Sequence, residues 1–81
     1  MRIDKYLKVS RIIKRRTVAN EACAAGRVSI NGKTAKPGSE VSEGDVIEIH
    51  FGERRIRAEV LKISEHVPKD AAAEMYRILE G

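Results

Sequence analysis

Four cations lie within six positions of the sequence, with no acid among them, and they carry its clearest chemistry: Arg11, Lys14, Arg15 and Arg16. Like charges at this density repel one another, which destabilises a fold unless an anion lies nearby. Guanidinium groups donate paired hydrogen bonds to phosphate oxygens, and an ammonium group attracts phosphate as a point charge. The cluster therefore predicts a phosphate-bearing partner, and a solvated basic loop is the simpler alternative.

Five further residues are candidates for the same surface through their charge and position: Arg2, Asp4, Lys8, Arg27 and Lys33. Asp4 has two interpretations: it favours the first turn of a helix through the helix dipole, or it orients an arginine side chain towards phosphate. From the residues alone the helix-dipole role is preferred. Arg27 and Lys33 flank the turn residues Asn31 and Gly32, so they would extend a basic face across a hairpin.

The charge is divided unevenly along the 81 residues. Residues 1–36 contain ten lysines and arginines against two acids, a net charge of +8, whereas residues 37–81 contain six against ten, a net charge of −4. Segregation of this kind favours a polyanion partner for the first part over a merely solubilising face. The charge pattern alone leaves RNA and DNA both open.

The other reactive residue types form no pattern typical of an enzyme. Cys23 is the single cysteine, so an internal disulfide is excluded, and with His50 and His66 it forms no zinc-ligand spacing. The three aromatic residues are too few for a stacking platform that binds single-stranded nucleic acid. No apolar run reaches the roughly 18 residues of a membrane span. We therefore expect a cytoplasmic, non-enzymatic protein with no metal, cofactor or membrane partner, and with Cys23 packed in its core.

The N-terminal residues predict two helices joined by the basic loop. Apolar residues at spacings of three and four predict the first helix over residues 3–9. The second helix is expected over residues 17–25, with Thr17 as its N-cap and Gly26 directly after its end. Small residues on one face of this helix would allow another helix to approach closely: Val18, Ala22 and Ala25.

The rest of the chain predicts a small sheet and a last helix. Alternating polar and apolar residues indicate strands over residues 27–30, 33–35, 46–51 and 54–63. Asn31-Gly32 is a strong hairpin signal, because a type I′ turn needs positive φ at both positions. The last helix is expected over residues 71–79, capped by Asp70. The predicted core consists of the apolar faces of these elements: Ile3, Leu7, Val18, Ala22, Val28, Ile30, Val46, Ile47, Ile49 and Leu61.

Five segments in order resemble the S4 RNA-binding domain family: R-I-D-K-Y-L at 2–7, S-R-x-x-K-R-R-T-x-A at 10–19, A-G-R-V-S-I-N-G at 25–32, P-G at 37–38 and V-x-x-G-D-x-I at 41–47. The resemblance implies an α+β fold, in which two N-terminal helices pack on a small, mainly antiparallel sheet and a short helix follows. It implies one domain over residues 1–81, with its core at about 1–51. It also implies RNA rather than DNA, and Arg2, Asp4 and Arg16 match positions that contact RNA in the family.

Over its whole length the chain resembles the RqcP-like family, stand-alone factors of bacterial ribosome-associated quality control that are related to the ribosome-binding heat-shock S4 protein. The segment E-H-V-P-K-D-A-A-A-E-M-Y carries part of this resemblance. It implies a monomer that binds the 50S subunit through helix 69 of 23S rRNA and stabilises the P-site peptidyl-tRNA. The resemblance further implies that an NFACT-type partner recruits alanyl-tRNA and that alanine tailing marks the stalled chain.

Other functions stay open at this point. A heat-shock-type factor or another rRNA-binding protein would bind the 50S subunit with no role in tailing. A protein-interaction module would use the acidic second part of the chain to bind a protein. A DNA-reading helix-turn-helix protein is disfavoured, because the second helix offers only Asn20 and Glu21 as polar, base-reading side chains.

Overall fold

The computed structural model describes residues 1–80. Two α-helices come first: α1 (Ile3–Val9) and α2 (Arg16–Ala24). Five strands follow: β1 (Val28–Ile30), β2 (Lys33–Thr34), β3 (Val46–Phe51), β4 (Arg54–Val60) and β5 (Tyr76–Glu80). A 3-10 helix (Lys69–Met75) lies between β4 and β5. The predicted α+β fold is confirmed, and its first four strands begin and end close to their predicted bounds, except at the end of β4.

The strands form one antiparallel sheet in the order β2-β1-β3-β4-β5. The hairpin between β1 and β2 turns at Asn31 and Gly32, whose φ angles are 51° and 85°. Both values are positive, as a type I′ turn requires, so the predicted hairpin is confirmed. The Asn31 side chain also donates to Asp45 at 3.0 Å and accepts from the Val46 N–H at 2.9 Å, which fixes the turn against the start of β3.

One face of the sheet is covered by the two helices. Alternate residues of the central strands are buried and lie opposite one another, as Val28 does to Ile49 and Ile47 to Ala58. They form a single apolar cluster with the buried faces of the helices, which include the following residues: Ile3, Tyr6, Leu7, Ala19, Ala22 and Cys23. This arrangement confirms that the helices pack on one side of the sheet.

The other face of the sheet carries paired charges. Glu48 lies opposite Arg57 in the register of β3 and β4, and their side chains are 3.6 Å apart. Glu59 lies opposite Arg77 of β5 and forms an ion pair with it. Opposite charges directly across a sheet stabilise its register modestly, so strand pairing accounts for the charged residues on this face.

The start of α2 differs from the prediction. The helix begins at Arg16, its N-cap is Arg15, and no side chain caps it, so Thr17 lies inside the first turn and the predicted cap is wrong. The end is as expected, because Gly26 has a φ of 76° directly after the last turn. The earlier start places the Arg16 side chain on the helix itself rather than in the preceding loop.

The buried face of α2 also differs. It consists of Ala19, Ala22 and Cys23, whereas Val18 is 42% exposed and Ala25 is exposed. The predicted face of Val18, Ala22 and Ala25 is therefore wrong by about one residue around the helix. The reason is that α2 packs against α1 through its alanines, and a 100° rotation per residue turns Val18 away from that contact.

The C-terminal region departs most from the prediction. β4 ends at Val60, and Leu61 is 44% exposed, so Leu61 does not belong to the core. A short helix is present in this region as predicted, but it is a 3-10 helix over Lys69–Met75 rather than a helix over residues 71–79, and β5 follows it at once. Asp70 lies inside the 3-10 helix, whose N-cap is Pro68. Pairing of β5 with β4 supplies backbone hydrogen bonds along the edge of the sheet, and this tertiary contact overrides the local helical spacing.

Met75 connects this C-terminal region to α1. Its carbonyl oxygen accepts from the Tyr6 hydroxyl at 2.8 Å and from the N–H groups of Leu61 and Lys62 at 2.8 and 3.2 Å. Tyr6 and Met75 are both fully buried. The helix that carries the first candidate residues is thus held by residues from the other end of the sequence.

Candidate nucleic-acid interface

The N-terminal residues are fixed by the loop of residues 37–41. The N–H groups of Ile3 and Asp4 donate to the carbonyls of Ser39 and Pro37 at 2.8 and 3.3 Å, and the Val41 N–H donates to the Met1 carbonyl at 2.9 Å. The P-G pair noted in the sequence therefore packs beside the N-terminus. This loop sets the position of Arg2, which immediately precedes α1.

Asp4 brings two of the candidate arginines together. Its carboxylate is 2% exposed and accepts from Arg2 at 3.1 Å and from Arg16 at 3.5 Å. The guanidinium-bearing side chains remain about half exposed, at 51% and 47%. Asp4 also accepts from the Lys5 N–H at 2.8 Å, so it serves the first turn of α1 as well. Asp4 thus contacts both the first turn of α1 and two arginine side chains.

Asn20 completes the shell around Asp4. Its side-chain amide donates to the Asp4 carboxylate at 3.3 Å. Because Arg16 and Asn20 are four residues apart in α2, they lie on the same face of that helix. Asn20 was not among the candidate residues, although the spacing from Arg16 was a usable signal. Its amide faces Asp4 rather than standing free as a base-reading group.

The pKa of Asp4 reflects these contacts. Burial acts to raise the pKa of the carboxyl group. The hydrogen bond from Asn20, the charges of Arg16 and Arg2, and the Lys5 N–H act in the opposite direction and outweigh burial, so the pKa lies below its ordinary value of 3.8. Asp4 is therefore ionised at neutral pH and holds both guanidinium groups.

Three other candidate cations line a cleft beside the end of α1. Lys8, Arg11 and Lys14 form one wall, together with Val9, and the cleft has a volume of about 540 Å³. The opposite wall is a segment that the sequence analysis did not select, residues 65–68. We call this space the basic cleft. Asp4 and Lys8 are one helical turn apart, so the basic cleft begins one turn of α1 beyond the carboxylate that holds Arg2.

The remaining candidates lie apart from these two groups in the described part of the chain. Arg15 is exposed at the N-cap of α2, next to Arg16. Arg27 is exposed between α2 and β1, and Lys33 is exposed at the start of β2. The contacts of Asp4 and the lining of the basic cleft involve neither Arg27 nor Lys33.

Cys23 lies in the core as predicted, at 2% exposure. Burial, assisted by the nearby Asp4 carboxylate, raises the pKa of its thiol to about 11, so it is uncharged and poorly nucleophilic at neutral pH. His50 is exposed at the end region of β3 and lies 2.8 Å from Glu48. Within residues 1–80 no three His, Cys, Asp or Glu side chains are grouped to hold a metal ion, and no helix there is long and apolar enough to cross a membrane.

Comparison with known families decides the classification. The family model described as "S4 domain" matches residues 1–47. The chain belongs to the S4 domain family. Its S4 region contains both helices, the Asp4 shell and the cationic wall of the basic cleft, whereas residues 65–68 lie beyond the matched part.

Relatives of this S4 protein match it over nearly its whole length. It is 52% identical over 80 residues to the "RQC P-site tRNA stabilizing factor" of Listeria innocua, covering 99% of this chain and 87% of the relative. It is 48% identical over 80 residues to the protein of the same name from Bacillus subtilis, covering 99% and 93%. Among solved structures, a trimeric structure of Vibrio cholerae Heat Shock Protein 15 superimposes with a TM-score of 0.87 at 32% identity, covering 96% of this chain and 80% of the other.

Proposed function

We propose that this chain is an RNA-binding factor of ribosome-associated quality control. It binds the 50S subunit through 23S rRNA and stabilises the P-site peptidyl-tRNA while alanines are added to the C-terminus of a stalled nascent chain. The names of the relatives that match 99% of the chain support the P-site tRNA as a ligand. The S4 match and the cationic surface along α1 support RNA as the general class of partner.

The observation that carries this proposal is the buried carboxylate of Asp4, which holds Arg2 and Arg16 with their side chains half exposed. A guanidinium group has five donors in a rigid fork, so an arginine held by a carboxylate on one side still presents donors on the other. Fixing the fork before binding lowers the conformational entropy lost when it meets a phosphate. Two prearranged guanidinium groups lie side by side, those of Arg2 and Arg16. This geometry favours a phosphate backbone, which offers several anionic groups, over a single diffusible anion.

The finer parts of the proposal follow the family. Helix 69 of 23S rRNA and the P-site tRNA are the proposed RNA ligands, and an NFACT-type tailing protein is the proposed protein partner. The proposed contact residues are the whole candidate set: Arg2, Asp4, Lys8, Arg11, Lys14, Arg15, Arg16, Arg27 and Lys33. We propose that the chain acts as one binding domain and a monomer, in the cytoplasm where ribosomes work, and that it binds RNA without transforming it.

The test compares two preparations of 50S subunits, one empty and one carrying peptidyl-tRNA. If the protein contacts rRNA and tRNA together, the second contact is effectively intramolecular, and affinity for the loaded subunit exceeds that for the empty one by roughly tenfold or more. Linkage requires that the protein raise the affinity of the subunit for peptidyl-tRNA by the same coupling free energy. Equal affinities for the two preparations would contradict the P-site role.

A second candidate function is that of a heat-shock-type 50S factor without a role in tailing. The TM-score of 0.87 to Heat Shock Protein 15 favours this alternative. A factor of that type would be expected to bind the subunit without helping an NFACT-type partner to add alanines. Reconstituted tailing with and without this protein therefore separates the two, because only the quality-control factor increases the yield of tailed chains.

A further inference from the structure

We propose that the basic cleft binds one unstacked nucleotide of RNA, with its phosphate on the cationic wall and its base against residues 65–68. This inference rests on the proposed RNA-binding function and adds to it a specific ligand: a nucleotide that has left a helix, at a bulge or a loop. A volume of about 540 Å³ lies within the range of small-ligand sites. The cleft joins the S4 region to the C-terminal segment, so neither part forms it alone.

The cationic wall suits a phosphate group. Lys8, Arg11 and Lys14 are exposed and converge on the same space. Glu65 also borders the cleft, and its carboxylate accepts from the Lys5 ammonium at 3.1 Å. That ion pair compensates the single negative charge in the lining, so the cationic wall keeps an excess of positive charge for an incoming phosphodiester.

The opposite wall suits a base. Val67 packs partly on the apolar core and turns its remaining surface to the cleft, where Pro68 adds further apolar area. Val9, beside Lys8, adds apolar surface from the other wall. The imidazole ring of His66 is exposed on the same wall, and the Ser64 hydroxyl donates to the His66 carbonyl at 3.2 Å, which orders this segment. Unstacked RNA bases are held by such planar rings and apolar groups. The cationic wall thus suits the phosphate of a nucleotide, and the apolar wall opposite it suits the base.

Backbone strain marks the same place. Arg11 has a φ of 63°, in the left-handed region that arginine seldom adopts. A glycine would adopt this conformation freely, so the arginine occupies the position at a cost. Strained residues of this kind cluster at ligand-binding sites, where the surrounding structure holds them. At Arg11 the conformation is held by hydrogen bonds on both sides, from Arg11 N–H to the Lys8 carbonyl and from Ile13 N–H to the Leu7 carbonyl, each 3.1 Å.

RNA is favoured over an acidic protein segment because the basic cleft begins one turn of α1 away from the Asp4 shell. A phosphate backbone that meets Arg2 and Arg16 and follows α1 reaches Lys8 one turn later. A nucleotide unstacked at that point enters the basic cleft without a second binding event. An acidic peptide would need neither the shell of Asp4 nor a planar base-binding wall.

The experiment uses the full chain and two RNA hairpins that differ only by a single bulged nucleotide. Affinities are measured by fluorescence anisotropy at one salt concentration. We expect the bulged hairpin to bind about tenfold more tightly, since a stacked base contributes a factor of this size. His66→Ala and Arg11→Gly should bring the two affinities to within about twofold. Arg54→Gln is the control, because it removes an exposed cation at the Gly52 turn, outside the cleft, and should keep the preference.

The outcomes separate this inference from the proposed function. If wild type binds both hairpins equally, the nucleotide site is overturned while the RNA-binding function stands. If wild type binds neither hairpin, both the nucleotide site and the RNA-binding function are contradicted. A third outcome is that an aspartate-rich peptide displaces the bulged hairpin from wild type and that the peptide no longer binds the His66→Ala protein. In that case the cleft binds an acidic protein segment, and the inference is overturned. Folding is checked by urea unfolding, in which Arg11→Gly should be at least as stable as wild type because glycine removes the strain.

Discussion

Asn20 donates to Asp4 at 3.3 Å across the contact between the two helices, and through that carboxylate it acts on both Arg2 and Arg16. The amide is exposed to solvent, whereas the carboxylate it meets is buried. Because the Asn20 amide is neutral, it stabilises the buried Asp4 carboxylate without itself forming an ion pair with a phosphate. Asn20 therefore positions the arginines and need not itself touch RNA.

The first prediction concerns this positioning. Asn20→Ala removes one donor from Asp4, so the free energy of unfolding should fall by about 1 kcal/mol and RNA affinity should fall severalfold as the arginines lose their order. Urea unfolding and anisotropy with an RNA hairpin measure the two effects. Val18→Ala, two residues earlier on the exposed face of α2, is the matched control for affinity. An Asn20→Ala protein that binds RNA like wild type would contradict the positioning role.

The second prediction is a loss of stability in acid that depends on Asp4. The pKa of this carboxyl group is lower in the fold than its ordinary value of 3.8, so its contribution is fully present above that value. The contribution is lost as the pH falls through the folded pKa, because the protonated group no longer attracts Arg2 and Arg16. Urea unfolding of wild type and Asp4→Asn from pH 7 downward should give curves that are separated at neutral pH and approach one another only as the pH falls below about 4. Parallel curves over the whole range would be inconsistent with this account.

The third prediction concerns the salt dependence of RNA affinity, which reports the number of phosphate contacts. Arg16→Gln should lower RNA affinity about tenfold and reduce the slope of log K against log salt by about one, because one phosphate contact is lost. Its free energy of unfolding should fall by no more than about 1 kcal/mol, because the guanidinium is half exposed and the Asp4 carboxylate keeps Arg2 and Asn20 as donors. Glutamine is preferred to aspartate here, because a second carboxylate beside Asp4 would introduce repulsion. Arg54→Gln should leave the slope as in wild type, and an unchanged slope in Arg16→Gln would remove this residue from the interface.

The fourth prediction concerns the link between α1 and the C-terminal region. Tyr6→Phe removes the hydroxyl that donates to the Met75 carbonyl at 2.8 Å. The cost should be only about 1 kcal/mol of unfolding free energy, because the carbonyl keeps the N–H donors of Leu61 and Lys62. Chemical denaturation measures it, with an unchanged m-value. A loss of 3 kcal/mol or more would indicate that the hydroxyl supports more than one hydrogen bond.

The N-terminal part of the fold is predictable because its signals are local. The periodicity of residues 3–9 and the Asn31-Gly32 turn depend on neighbours in sequence, and the structure confirms both. Residues 71–79 also show helical spacing, but their backbone pairs with β4, a partner many residues away. Aromatic and β-branched residues at Tyr76 and Ile78 favour a strand, and only the tertiary contact lets that preference decide.

The residues of the candidate site also divide into those that local signals reveal and those that only a long-range contact brings together. Arg16 and Asp4 were selected by type and by resemblance, and their contact follows once two adjacent helices pack together. Asn20 was within reach of sequence reasoning, because its spacing of four from Arg16 puts both on one helix face. The wall of the basic cleft at residues 65–68 was not, because its distance from Arg11 in the chain hides their proximity in space.

The bond between Tyr6 and Met75 spans 69 residues and bears on the order in which the protein folds. The helix α1 is local in sequence, yet its buried face is completed only when Met75 packs against it. Contacts between residues so far apart are slow to form, because closing a long loop costs entropy before the contact stabilises it. We therefore expect α1 to dock on the C-terminal region after the local hairpin at Asn31 and Gly32 has formed.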